Sequence, residues 1–248
     1  MKLSEVLKGI EEIEVRGDLE IDVPSIAYDS RKVENGGMFV AIVGFKMDGH
    51  NYIESAIQSG AKIIAMQEGA YDAGMIPEGI TVVFSKDTRK FLPMVACNFY
   101  GNPTRELKVV GVTGTKGKTT TTYMIKSILE HAGKKVGLIG TIANYVGDKC
   151  YESERTSPES LDLQRMFREM VNNKCDVAVM EVSSHSLALD RVWGIDFDIG
   201  VFTNLTQDHL DFHKTFDNYL AAKAKLFTMC KEGFVNCDDM YAKKLMDM

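Results

Sequence analysis

Lys108-Val109-Val110-Gly111-Val112-Thr113-Gly114-Thr115-Lys116-Gly117-Lys118-Thr119-Thr120 decides the fold of this chain. Lys108 to Val112 reads as a short buried strand. Beyond Thr120, the residues Thr121, Met124, Ile125, Ile128, Leu129 and Ala132 recur at helical spacing, and Gly133 stands where a helix would stop. A strand, a glycine-rich turn and a helix in that order aim backbone N–H groups and the positive end of a helix dipole at one point, which suits a phosphate chain. Lys118 would reach the terminal phosphates of a nucleoside triphosphate and Thr119 would offer its hydroxyl to Mg²⁺, with Gly114, Thr115, Lys116, Gly117 and Thr120 completing the cradle. The standard phosphate loop has a glycine where Val112 stands. Here the glycines fall at Gly111, Gly114 and Gly117, so a variant loop is expected.

Downstream of the loop, Val136 to Ile139, Asp176 to Val182 and Asp198 to Phe202 read as further strands separated by helices. That order predicts a mostly parallel sheet wrapped on both faces, with ligands gathering at the carboxyl ends of its strands. Glu181 closes an apolar strand at that edge and is a candidate Mg²⁺ ligand. Phe234-Val235-Asn236 looks like one more strand followed by a helix, so this sheet is expected to be cut while in progress. Upstream, Met38 to Val43, Ile53 with Ala56 and Ile57, Lys62 to Ala65 and Ile80 to Phe84 alternate strand and helix patterns, a small α/β unit. Asp87 is suited to cap a helix running to about Tyr100, with Phe91, Leu92, Val95, Ala96 and Phe99 on its apolar face and Pro93 inside it. Gly101-Asn102-Pro103-Thr104 is turn chemistry and predicts a domain boundary near residue 104. The fold class is therefore α/β: a small α/β domain over residues 1–104, then a doubly wound, mostly parallel phosphate-loop domain over 105–248 that is incomplete.

A chain of 248 residues should bury about three quarters of its unfolded surface without staples. Its net charge of −6, with no dense Lys/Arg run, argues against nucleic acid or an anionic membrane as partner. Five cysteines with no CxxC pair, and a start at Met1-Lys2-Leu3-Ser4-Glu5 that leads into no signal core or membrane span, predict a cytosolic protein with reduced thiols, Cys97 and Cys175 being buried. The segment Thr203 to His213 holds two histidines and two aspartates, His209 and His213 among them. It lacks the glutamate of H-E-x-x-H, so Mg²⁺ or nucleotide contact is expected there rather than zinc. Phe216, Tyr219, Leu220, Leu226 and Phe227 form a core-facing helical stripe around Lys223, which taken alone reads as a snorkelling surface lysine.

Over nearly its whole length the chain resembles the amino-terminal and central portions of the Mur ligase family. The resemblance rests on Asp29-Ser30-Arg31, Asp48-Gly49, Gly114 to Thr120, Thr156-Ser157-Pro158-Glu159, Met180 to His185, Thr203-Asn204-Leu205, Asp208-His209-Leu210-Asp211 and Ala221-Ala222-Lys223, in that order. It implies a cytoplasmic, monomeric, ATP-dependent ligase of peptidoglycan synthesis. That ligase adds a third amino acid, meso-diaminopimelate in preference to L-lysine, to UDP-MurNAc-L-Ala-D-Glu through an acyl phosphate. By the same resemblance Tyr28, Ser30, Phe45, Lys46 and Met47 contact UDP, and Thr156, Ser157, Ser183 and Arg191 bind the muramyl dipeptide. Lys118, Thr119 and Glu181 serve ATP and one Mg²⁺, while His209 and a carbamylated Lys223 serve a second, with Lys225 as the fallback lysine. The family's carboxy-terminal, amino-acid-selecting domain is expected to be absent, leaving a chain that binds without turning over. The alternatives are another amide ligase of the superfamily, such as a folylpolyglutamate synthetase, a non-catalytic nucleotide-sugar binding protein, or a generic phosphate-loop ATPase or kinase.

Overall fold

In the computed structural model, which describes residues 1–44, 47–147, 149–153 and 155–248, the chain divides into two units, Met1–Gly101 and Asn102–Met248, each with its own sheet. The first contains α1 (Leu3–Val6), β1 (Ile13–Arg16), β2 (Ile26–Ala27), β3 (Met38–Val40), α2 (Ile53–Gln58), β4 (Ile63–Gln67), β5 (Thr81–Ser85) and α3 (Thr88–Phe99). Its sheet runs β1-β5-β4-β3-β2, parallel from β2 to β5 with β1 antiparallel on β5. The unbroken apolar runs Met38-Phe39-Val40 and Ile63-Ile64-Ala65 are buried on both faces, the burial that parallel strands require. Phe39, Ile64 and Val82 pack with Ile53 and Ala56 of α2. Asp87 caps α3 by accepting hydrogen bonds from the N–H groups of Arg89 (2.9 Å) and Lys90 (3.3 Å), and α3 continues through Pro93. β3 ends at Val40, short of Val43. Val43 instead forms an isolated antiparallel bridge with Asp48, and a Cβ on Gly49 would lie 2.7 Å from the Ile42 nitrogen. Close backbone packing therefore takes over from the ladder.

The second unit contains β6 (Lys108–Thr113), α4 (Lys118–His131), β7 (Val136–Ile139), β8 (Ala143–Val146), β9 (Lys149–Glu152), α5 (Ser160–Asn172), β10 (Val177–Glu181), α6 (Ser184–Ala188), β11 (Phe197–Phe202), α7 (Leu210–His213), α8 (Phe216–Thr228), β12 (Cys230–Val235) and α9 (Ala242–Met246). The sheet order is β12-β11-β6-β10-β7-β8-β9, with β12 through β7 parallel and β8 and β9 antiparallel. Val110, Val112, Val136, Leu138, Val177 and Val179 meet Ile125 and Leu129 of α4 on one face. On the other, Val109 and Ala178 meet Leu163 and Phe167 of α5, Leu187 of α6 and Leu226 of α8. The sheet is thus wrapped on both faces. The stripe on α4 is only partly used, since Met124 and Ile128 are 59% and 66% exposed and the helix leans on Ile125 and Leu129 instead. β6 sits where the crossovers part, to β7 on one side and from β10 to β11 on the other, and such a switch point leaves a crevice at the strands' carboxyl ends. The register aligns Val112 with Glu181 and Thr113 with Phe202, so the loops that follow these strands emerge at one edge. Among the described residues no helix is long and apolar enough to cross a membrane.

Candidate active site

The loop after β6 is built by backbone geometry that only glycine tolerates at its first turn. Gly114 has φ +149°, and a Cβ there would lie 1.9 Å from the Thr203 hydroxyl. Gly117, at φ +85°, is the residue from which α4 starts, so the N–H groups of its first turn open towards the loop. The segment after β11 braces the loop from the side. Thr115 N donates to Asn204 O (2.9 Å), Lys116 N to the Asn204 side-chain oxygen (3.0 Å), and Thr203 Oγ1 to Lys116 O (2.7 Å). Thr115 is buried and its hydroxyl is saturated: it donates to Thr206 O and accepts from Thr206 N (3.0 Å) and from the Tyr219 hydroxyl (3.1 Å). Lys118 folds back, donating to Gly114 O and Thr115 O at 3.0 Å each, and burial lowers its pKa. Lys116 and Thr120 are exposed, Lys116 pairing with Asp208 at 3.5 Å.

Beside the loop, the carboxylate of Glu181 is 1% exposed and accepts from the Thr119 hydroxyl (2.9 and 3.0 Å), Thr141 N (2.8 Å) and the Thr141 hydroxyl (3.1 Å). Gly140 makes room for it, since a Cβ there would fall 2.6 Å from Glu181 Oε1. The Thr141 hydroxyl also reaches Thr156 Oγ1 (3.0 Å). Ser157 donates to Glu181 O (2.9 Å) and accepts from Ser183 N (3.1 Å), so the residues quoted for the dipeptide converge on the same strand end. Arg191 forms an ion pair at 2.8 Å with Glu159, whose side chain is 4% exposed, and its Nη1 donates to Ser157 O (3.4 Å). Thr141 and Gly140 lie in no motif that a single sequence exposes, while Glu159 stood in a quoted motif with no role of its own. The signal available for the first two was their place directly after β7, at the carboxyl edge of the sheet.

Lys223 is 1% exposed, against the surface reading of its sequence context. Its Nζ donates to Gly114 O (2.8 Å), the carbonyl that Lys118 also holds, and lies 4.5 Å from the centre of the Tyr219 ring. Burial, with Lys118 nearby, lowers its pKa to about 7. Lys225 is displaced from the site, pairing with Asp190 at 3.3 Å. His209, at φ +52°, is half exposed, 3.5 Å from Asp208 and edge-on to His185 at 4.9 Å. His213 is buried instead, bonded through Nε2 to Ser184 Oγ (2.8 Å), and burial drives its pKa down to about 4. Among the described residues, no three His, Cys, Asp or Glu side chains come together as a metal site. The Thr119 hydroxyl and the buried Glu181 carboxylate, 2.9 Å apart, are a pair of hard oxygen donors.

In the first unit, Asp29 grips Arg31 through the N–H of that residue (3.0 Å) and both forks of its guanidinium (2.9 and 2.7 Å), which fixes the turn that buries Ser30. The Arg31 hydrogen bonds lower the Asp29 pKa. Tyr28 is half-buried and Met47 is 61% exposed, while Phe45 and Lys46 lie outside the described residues. Asp48 accepts from His50 N (3.0 Å) and from its ring, and His50 Nε2 accepts from Gln67 N (2.9 Å), so the ring ties the turn that starts at Asp48 to β4.

A parallel sheet with a phosphate-type loop at its switch point, braced by the segment after β11 and flanked by a buried carboxylate, defines an α/β domain of the phosphate-loop class. The family profile "Mur ligase middle domain" matches residues 112–248, and "Mur ligase family, catalytic domain" matches residues 22–100. The chain belongs to the Mur ligase family. It is 53% identical over 246 residues to the UDP-N-acetylmuramoyl-L-alanyl-D-glutamate--2,6-diaminopimelate ligase of Clostridium tetani (strain Massachusetts / E88), covering 99% of this chain and 50% of the relative. It is 48% identical over 248 residues to the protein of that name from Caldanaerobacter subterraneus subsp. tengcongensis, covering 100% and 50%. A solved structure of a ligase of the same name superposes with a TM-score of 0.81 at 25% identity, covering 100% of this chain and 49% of that one. A MurF structure from Acinetobacter baumannii shares the fold, with a TM-score of 0.66 at 19% identity over 99% of this chain and 51% of the other. The chain spans about half the length of the curated relatives it matches.

Proposed function

We propose that this chain supplies the nucleotide site and the UDP-MurNAc-L-Ala-D-Glu site of a cytoplasmic, ATP-dependent amide ligase whose whole protein adds meso-diaminopimelate. The observation that carries this reading is the contact of Thr119 with the buried Glu181 beside the glycine loop that opens α4. A buried carboxylate and a hydroxyl 2.9 Å apart are hard oxygen donors and fit Mg²⁺. When bound there, the ion supplies charge neutralisation for the nucleotide's phosphates. The 53% identity to a ligase named for 2,6-diaminopimelate supports that amino acid over L-lysine.

In the reaction, a D-Glu carboxylate oxygen attacks the γ-phosphorus of ATP, and the bond to the β-phosphate oxygen breaks with its electron pair leaving on ADP. The amine then attacks the resulting acyl phosphate, phosphate departs and the nitrogen releases a proton. Phosphoryl transfer needs positioning and cationic stabilisation more than acid–base groups. The loop N–H groups cradle the phosphates, and Lys118 moves from the loop carbonyls onto the terminal phosphate. Thr156, Ser157, Ser183 and Arg191 orient the dipeptide, Arg191 through a guanidinium whose planar fork suits a carboxylate. Tyr28, Ser30 and Met47, with Phe45 and Lys46, hold UDP in the first domain, residues 1–104. Lys223 as a carbamate and His209 serve a second Mg²⁺, a role supported by the share of neutral amine that burial leaves on Lys223 near pH 7.

Calorimetric titration of this chain with UDP-MurNAc-L-Ala-D-Glu and with a non-hydrolysable ATP analogue, each with and without Mg²⁺, tests the reading. Saturable dipeptide binding and Mg²⁺-dependent nucleotide binding are expected. Nucleotide binding with no response to the muramyl dipeptide would overturn the substrate assignment.

A further inference from the structure

Thr113, the last residue of β6, is fully buried, and its hydroxyl has no hydrogen-bond partner. Leaving a buried hydroxyl in that condition is destabilising, and a valine of the same shape would avoid the cost. Its direction follows from the pleat, because side chains two apart on a strand share a face. A Cβ on Gly111 would touch Phe197 and Leu226, so Thr113 also faces α8. Lys223 lies three residues before Leu226 and therefore on the same side of α8, and its Nζ bonds the carbonyl of Gly114, the residue after Thr113. The orphan hydroxyl and the lysine head thus share one buried compartment, walled by the Tyr219 ring.

As an amine or ammonium, Lys223 is already served there by the Gly114 carbonyl and the ring face. A carboxylate group on its nitrogen would add, beyond the oxygen given to the second Mg²⁺ above, an acceptor that neither of them serves. Its oxygens only accept hydrogen bonds, and an aromatic face repels an anion. We propose that Thr113 is a positioning residue for Lys223, its hydroxyl donating a hydrogen bond to the carbamate that Lys223 carries. The inference rests on the reading of Lys223 given above and adds the residue that holds the modified head in place. In forming the carbamate, the neutral Nζ attacks the carbon of CO₂, and the N–C bond forms as one C–O π pair moves onto oxygen. The nitrogen gives one proton to water. The carbamate N–H stays available to Gly114 O, and the new oxygens take the donor that Thr113 has spare.

The test is ¹³C NMR of the chain in ¹³C-bicarbonate with Mg²⁺ and a non-hydrolysable ATP analogue, comparing wild type, Thr113→Val, Thr113→Ser and Lys223→Arg. Wild type and Thr113→Ser should show a carbamate resonance that Lys223→Arg lacks. Thr113→Val should need about tenfold more bicarbonate for half-occupancy, the scale of one hydrogen bond to a charged group. Thr113→Val should also melt no lower than wild type, since it replaces an orphan hydroxyl with a methyl, so a lost signal would not come from unfolding. Equal filling of Thr113→Val and wild type would overturn the role of Thr113 and leave that of Lys223 standing. A wild-type protein with no Lys223-dependent resonance would overturn both.

Discussion

Replacing Gly114 with alanine tests whether the loop's shape is imposed by close approach or merely permitted by glycine. The backbone there sits at φ +149°, a conformation that costs an L-residue about 1–3 kcal/mol. The added Cβ would also stand 1.9 Å from Thr203 Oγ1 and 3.2 Å from both N and O of Asn204. The backbone contacts leave the loop little room to slide, so Thr203 must turn away and surrender its bond to Lys116 O at 2.7 Å, worth about 1 kcal/mol. The sum is about 2–4 kcal/mol, which at this size lowers Tm by about 5–15 °C. Because Thr203 holds Lys116 O, the same change should weaken binding of an ATP analogue by about tenfold or more, the effect of misplacing even one charge-assisted bond. The assay is a melting curve and a nucleotide titration on Gly114→Ala, Thr203→Ala and the double variant. Removing the Thr203 hydroxyl should recover the clash component and leave the φ component, so the double variant should be more stable than the sum of the singles implies. A Gly114→Ala protein that melts with wild type, or losses that simply add, would refute the reasoning.

Glu181→Gln keeps the volume but turns an acceptor-only carboxylate into a group that must donate towards Thr119 or Thr141. The Mg²⁺-dependent part of ATP-analogue affinity should fall more than tenfold while the Mg²⁺-free affinity changes little, and a calorimetric response to Mg²⁺ equal to wild type would remove Glu181 from the metal site. His213 protonates only near pH 4 in the folded protein, against 6.5 as its ordinary value. Between those values the unfolded chain binds more protons, so this residue's contribution to stability is lost as pH falls from 6.5 towards 4 and levels off below. His213→Phe, which preserves the ring against Tyr219, should flatten that part of the wild-type curve in denaturant titrations. A wild-type-minus-variant difference that does not change across the window would show that His213 is not the group.

The strand, glycine turn and helix from Lys108 to His131 were legible because they depend on local rules: an apolar run, positive-φ glycines and a helix stop at Gly133. The Asp87 cap was legible for the same reason, since one side chain and two nearby N–H groups settle it. The parallel order wrapped on both faces also followed from alternation along the chain. Other elements did not show. β1 alternates apolar and polar over only four residues, Ile13-Glu14-Val15-Arg16, too short a trace to mark a strand, and the β8–β9 hairpin ends in a fully exposed strand with no buried face to give one. Lys223 shows the limit most clearly. Its helical context is that of any amphipathic helix, and only the packing of α8 against β6, through Gly111 and Leu226, buries its ammonium and presses it on Gly114. Thr141 reaches Glu181 across forty residues, and Thr113 is an orphan because of what surrounds it rather than what precedes it. Local propensity and periodicity therefore determined which elements form and where the phosphate-type loop lies. Burial, and with it the charge state of Lys223 and the partners of Glu181, depends on which distant segments the sheet brings alongside, and only the tertiary structure decided that.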